Sequence, residues 1–215
     1  MIFNTFSRDE INDGIRGVVA EFSNSSYPVG LEIKYEKALK NRKVKDGNVL
    51  GVHRYTIQNN TVYVVAIKRT YNYSPRKYGE LVFNYYVSVT NPNTGKSAYA
   101  MPCFDIYGAK IIGFTLLTEH FIQRLRERAG VEFSDFLKKS GGMSGHAVVY
   151  GDDGKIETNW GGHRLFGYQY EDGKYTYITT MVTDDMLFET QLPVKEYMAE
   201  REKEYKDIQN STLTV

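Results

Sequence analysis

Apolar and polar positions alternate with two different periods along this chain, and the change of period marks its elements. Near the N-terminus Ile11, Ile15, Val18, Val19 and Phe22 recur with helical spacing behind Ser7-Arg8-Asp9-Glu10, which has the form of a capping box. A first helix is therefore expected to about Glu21, broken by 23–28, with a second, heavily charged helix over 31–42. From Val49 onward the pattern turns to strands. Segments 52–58, 61–71, 80–90 and 96–104 are rich in Val, Ile, Thr and Tyr and are separated by Asn59-Asn60, Ser74-Pro75 and Asn91-Pro92-Asn93-Thr94-Gly95. That predicts an antiparallel meander, to which 111–117 adds a fifth strand or a lead-in.

Helical period returns at Thr118, a capping residue type, followed by Phe121, Ile122, Leu125 and Ala129 on one apolar side. His120, Arg124 and Arg128, spaced four apart, climb the flank of that side. A short helix around Phe133, Phe136 and Leu137 ends at Gly141-Gly142. Segments 146–150, 155–159, 164–170 and 175–182 then read as strands, with hairpin turns at Asp152-Asp153-Gly154 and Glu171-Asp172-Gly173. Pro193 opens a last amphipathic helix. The expected class is α+β: an antiparallel sheet lobe with N-terminal helices, then a helix–helix–four-strand antiparallel unit, then a C-terminal helix. The segments are 1–110, 111–192 and 193–215, within one body.

Composition sharpens this in three ways. The chain holds 18 Tyr and 11 Phe, which argues against disorder and suits sheets with a wet face. Its net charge of +1 hides a partition. Residues 34–78 carry eleven Lys or Arg against two acidic residues, whereas 179–215 carry four against eight. The basic block either meets an external polyanion, RNA being the candidate, or faces the acidic C-terminal segment. Lys68, Arg69, Arg76 and Lys77, interleaved with Tyr71 and Tyr73, are the candidate nucleic-acid contacts, or else a hairpin that binds a protein. The C-terminal helix either docks on the body or mediates self-association or a protein contact. Cys103 is the single cysteine, a core filler in a reducing compartment. No stretch approaches ~18 continuous apolar residues and no basic-then-apolar leader opens the chain, so a cytoplasmic location without membrane contact is expected.

For chemistry, the four histidines never pair at short spacing, and neither a metal motif nor a phosphate loop is present, so neither metal nor cofactor is expected. What remains is His120, Arg124 and Arg128, with His163 behind Gly161-Gly162 and one of Thr179 and Thr180 in the last strand. Alternation lets only one of those threonines face the helix. The set holds the parts for metal-free RNA cleavage: an imidazole to take the 2′-hydroxyl proton, arginines for the phosphorane, a second acid for the leaving oxygen. The same arginines with Glu127 equally describe an ordinary salt-bridged helix face.

Thr118, His120, Phe121, Arg124, Glu127 and Arg128, on the first of two helices before an antiparallel sheet, resemble the core of small RNase toxins. These are the barnase/RelE/colicin-type enzymes and their phage and mobile-element relatives. The likeness covers about 115–190 and implies catalytic roles for His120, Arg124 and a strand threonine, here Thr180. Two functions follow as expectations: a metal-independent, toxin-like ribonuclease, or a non-catalytic binding or assembly protein that uses the same core as a scaffold.

Overall fold

The structure is a computed structural model and describes residues 1–70, 79–105, 108, 110–140, 147–150, 154–160, 163–171 and 173–182. Helix α1 (Arg8–Asn24) begins as its sequence dictates. The Ser7 hydroxyl accepts from the Glu10 amide, and the Glu10 carboxylate accepts from the Ser7 amide at 2.8 Å, closing the box. Helix α2 (Tyr27–Lys40) starts four residues before the expected position. Pro28 lies in its first turn, where no amide is required, and so opens the helix instead of breaking it.

Strands β2 (Val49–Ile57), β3 (Asn60–Arg69), β4 (Glu80–Thr90), β5 (Ser97–Phe104) and β6 (Ile111–Leu117) pair in sequence order, all antiparallel. The short β1 (Ile2–Phe3) lies parallel to β4 at Val89 and Thr90, beyond the end of β3. Its anchor is Asn60, whose buried side-chain oxygen accepts from the Ile2 amide at 2.7 Å. The β2–β3 turn therefore uses Gln58 and Asn59, both at positive φ, one residue earlier than the expected Asn59-Asn60.

After β6 come α3 (Glu119–Ala129), α4 (Phe133–Ser140) and an antiparallel run β7 (Ala147–Tyr150), β8 (Lys155–Trp160), β9 (His163–Tyr170) and β10 (Tyr175–Val182). The sheet does not stop at residue 110, where the sequence suggested the edge of a lobe. β10 pairs parallel with β6, Tyr175 opposite Phe114 through Ile178 opposite Leu117, so the order is β2-β3-β4-β5-β6-β10-β9-β8-β7. One mostly antiparallel sheet thus spans both halves, with a parallel seam inside it.

Two cores lie on the two faces of this sheet. On one, Ile11, Ile15, Val18 and Phe22 of α1 and Leu31 of α2 pack on Val62, Val87 and Phe114. On the other, Phe121 and Leu125 of α3 and Phe136 and Leu137 of α4 pack on Val65, Ile178 and Met181. Full burial of each such side chain is worth roughly 1.5–3 kcal/mol before entropy is charged against it. Among the described residues there are four helices, and none is long and apolar enough to cross a membrane. The expected helix at 193–215 lies outside the described residues.

Candidate functional site

Helix α3 is held by both ends and by its buried side. The Thr118 hydroxyl accepts from the Phe121 amide at 3.2 Å, and Gly130 closes the helix in the left-handed conformation at φ 62°. Phe121 and Leu125, fully buried, pull the helix onto β10. That orientation sets His120, Arg124 and Arg128 along the flank, as their spacing requires. Arg124 Nε donates to His120 Nε2 at 3.3 Å, and Arg124 Nη1 donates to Glu127 Oε2 at 2.7 Å. The other Glu127 oxygen accepts from Gln123 at 2.6 Å; that bond first, then Arg124, holds the Glu127 carboxyl below its ordinary range. Arg128 turns inward and donates to the Met181 carbonyl of β10.

This geometry bears on proton transfer. An Nε2 that accepts from Arg124 leaves the ring proton on Nδ1, so the free side of the exposed His120 offers a donor. General-base work would require the Arg124 bond to break. The remaining predicted partners are not gathered around it. Met181 and Leu165 face α3, so their register neighbours Thr180 and Phe166, one residue away, lie on the opposite face of the sheet. A bulge between Ile178 and Thr180 sets this phase, which a plain count along the strand does not contain. Thr179 donates to the Phe166 carbonyl at 3.2 Å. His163 opens β9, with Trp160 as its backbone partner. A hollow of about 300 Å³, lined by Gly130, Val131, Asp135, Lys138 and Lys139, opens at the C-terminal end of α3. At 1.5 Å per residue it is roughly 15 Å along the helix from His120.

Of the expected nucleic-acid contacts, Lys68 is not at the surface. It is 4% exposed, and its ammonium donates to the Asn41 carbonyl at 2.8 Å and to that of Ala38 at 3.4 Å. It caps the end of α2, where carbonyls lack helical partners and the helix dipole favours a cation. Arg69 is exposed and reaches Asp46 at 3.5 Å. Tyr71, Tyr73, Arg76 and Lys77 lie outside the described residues. Cys103 sits 3.7 Å from the Thr115 hydroxyl, and burial pushes its thiol up, away from nucleophilic character. Among the described residues no three His, Cys, Asp or Glu side chains gather as a metal-binding group.

Two constellations escaped the sequence. Glu157 of β8 and Arg164 of β9 form an ion pair with both side chains almost wholly buried. On the α1–α2 face, at the β2 edge of the sheet, stand the rings of Tyr27, Tyr55, His53 and Tyr35. Tyr35 Oη and His53 Nε2 are 2.7 Å apart, and the hydroxyl lies so close over Gly51 that an added Cβ would come within 2.0 Å of it. Burial, then Lys34, holds His53 below the ordinary imidazole range. The alternation His53, Tyr55 along β2 carried the signal for this row, but its α2 members are placed only by the packing. No family model matches the chain, and no curated protein or solved structure matches it either.

Proposed function

We propose that the protein is a non-catalytic binding or assembly protein, with α3, α4 and the strands behind them as its scaffold. The observation that carries this is the engagement of the α3 cations. Arg124 is committed to Glu127 and His120, and Arg128 to the Met181 carbonyl. Each guanidinium is thus taken up by an acceptor within the protein and is not held ready for an external anion. The test is incubation of the full chain and of His120→Ala with tRNA and total RNA in EDTA. Intact RNA with both proteins is the expected result. Cleavage by the wild type that disappears in His120→Ala would overturn this reading.

A second reading, the metal-independent toxin-like ribonuclease acting in the cytoplasm, has its own support. His120 is exposed with a guanidinium 3.3 Å from its ring, and two helices precede the antiparallel run β7–β10. In this reading substrate displaces the His120–Arg124 bond, and loss of one such group lowers the rate by about 10²–10³. The same incubation decides between the two.

A further inference from the structure

The edge of the sheet beside α2 has a composition that the function above does not use. Tyr27 and Tyr55 lie with ring centroids 4.5 Å apart, His53 follows at 6.4 Å from Tyr55, and Tyr35 at 5.7 Å from His53. Tyr27 is 42% exposed, while the other three rings are half-buried and so held in place. Phe22 backs the row, stacked on Tyr27 at 5.9 Å and edge-on to Tyr55 at 5.4 Å. Rings fixed this way lose little entropy on accepting a planar partner.

The charge beside them is predominantly positive, with Glu32 and Glu36 of α2 and Asp46 of the following loop as the acidic exceptions. Lys34 Nζ stands 5.5 Å from the Tyr35 ring centroid, and Lys37, Arg42, Lys43 and Lys45 are exposed on α2 and the loop that follows it. Among the described residues none of these five cations forms a salt bridge. The nearby Glu36 takes Lys40, and Asp46 takes Arg69. Unlike Arg124, these cations have no side-chain acceptor among the described residues.

We infer that the Tyr27–Tyr55–His53–Tyr35 row with its flanking lysines is a docking surface for single-stranded RNA. Bases stack on the exposed Tyr27 ring and the uncovered parts of the half-buried rings beside it, while the phosphates follow the cations of 34–45. A duplex hides its base faces and cannot use the rings, whereas an unpaired strand can. An acidic peptide would satisfy the lysines but leave the rings without a planar partner. The phenol groups of Tyr27 and Tyr55 have no hydrogen-bond partner among the described residues, and a phenol both donates and accepts, as the ribose 2′-hydroxyl does. That favours RNA over DNA. The inference rests on the binding-protein reading and names its ligand.

The experiment is fluorescence anisotropy of a 5′-labelled twelve-nucleotide oligouridylate with the full chain in EDTA, across a salt series, with dT12 and the acidic peptide of residues 179–215 as competitors. Tyr27→Leu is expected to weaken binding by about fivefold to a hundredfold, the range for loss of one stacked base. Tyr27→Trp should retain it. Lys34→Gln should reduce the salt slope by about 0.7, one phosphate contact on a single strand. Wild-type affinity in Tyr27→Leu, with an unchanged thermal melt, would overturn the ring platform. So would displacement of the oligouridylate by the acidic peptide but not by unlabelled RNA. Equal competition by dT12 would overturn the assignment to RNA. Shortening of the labelled strand during the measurement would overturn the non-catalytic reading and leave the platform standing, so the two failures are distinguishable.

Discussion

Replacing Gly113 by alanine tests the parallel seam directly. A Cβ built at Gly113 falls 1.8 Å from the backbone carbonyl oxygen of Lys174, just before β10. Ordinary carbon–oxygen contacts begin near ~3.3 Å, so that oxygen must retreat by about 1.5 Å. No rotamer relieves the clash, because the obstacle is backbone. The same oxygen accepts from the Phe114 amide at 3.1 Å, the first bond of the β6–β10 seam. Breaking it leaves a buried donor and a buried acceptor, each costing about 1–3 kcal/mol, for a total of roughly 2–6 kcal/mol. Against a whole-domain stability of roughly 5–15 kcal/mol this is a large fraction. Gly30→Ala is the internal control. It lies within α2 with nothing inside 4 Å of the added Cβ, so the same substitution there should stabilise by roughly 0.5–1 kcal/mol. Urea unfolding followed by circular dichroism reads both. A Gly113→Ala midpoint within about 1 kcal/mol of wild type, at unchanged slope, would refute the steric argument for the seam.

Two further outcomes follow from groups already described. Arg164→Met should cost about 3–5 kcal/mol, because it takes the buried guanidinium away from the Glu157 carboxylate, while Arg164→Met combined with Glu157→Leu should regain most of that loss; calorimetry of both variants would contradict this if the double were the less stable. Burial and Lys34 depress the folded-state pKa of His53, so the unfolded chain binds more protons between that value and the ordinary imidazole value near ~6.5. The contribution is full above ~6.5 and is lost as pH falls through the folded pKa. Urea midpoints at pH 5 and 7.5 should differ less in His53→Phe than in wild type, and an equal difference would remove His53 from the account.

Local chemistry made much of the fold legible and long-range pairing hid the rest. The Ser7–Glu10 box and the Thr118 and Gly130 caps act within four residues of themselves, so the chain announces them. Pro28 misled because its meaning depends on position: a breaker inside a helix is an opener in its first turn. The seam joins residues about sixty positions apart, and a period of two assigns a strand its faces but not its neighbours. One clue was present, since Ile111–Leu117 is apolar almost throughout, the mark of an interior strand covered on both faces. At the candidate site the stripe of His120, Arg124 and Arg128 was readable from spacing. Its internal partners were not, because Met181 reaches Arg128 only through the sheet and the bulge before Thr180 reverses the side that a plain alternation assigns. Lys68 misled for a related reason: a cation in a basic run looks solvated until a helix end is found above it.

The order in which the seam is made has a consequence during synthesis. Strand β6 is complete at Leu117, but the β10 residues that cover its second edge begin at Tyr175. At roughly 5–20 residues per second, that edge waits about 3–12 s for its partner. During the interval the interior of the finished sheet is an open ladder beside an apolar face. Helices α3 and α4 are translated next after β6, and their early collapse onto β3 and β5 through Phe133 and Tyr99 would shield that face until translation catches up.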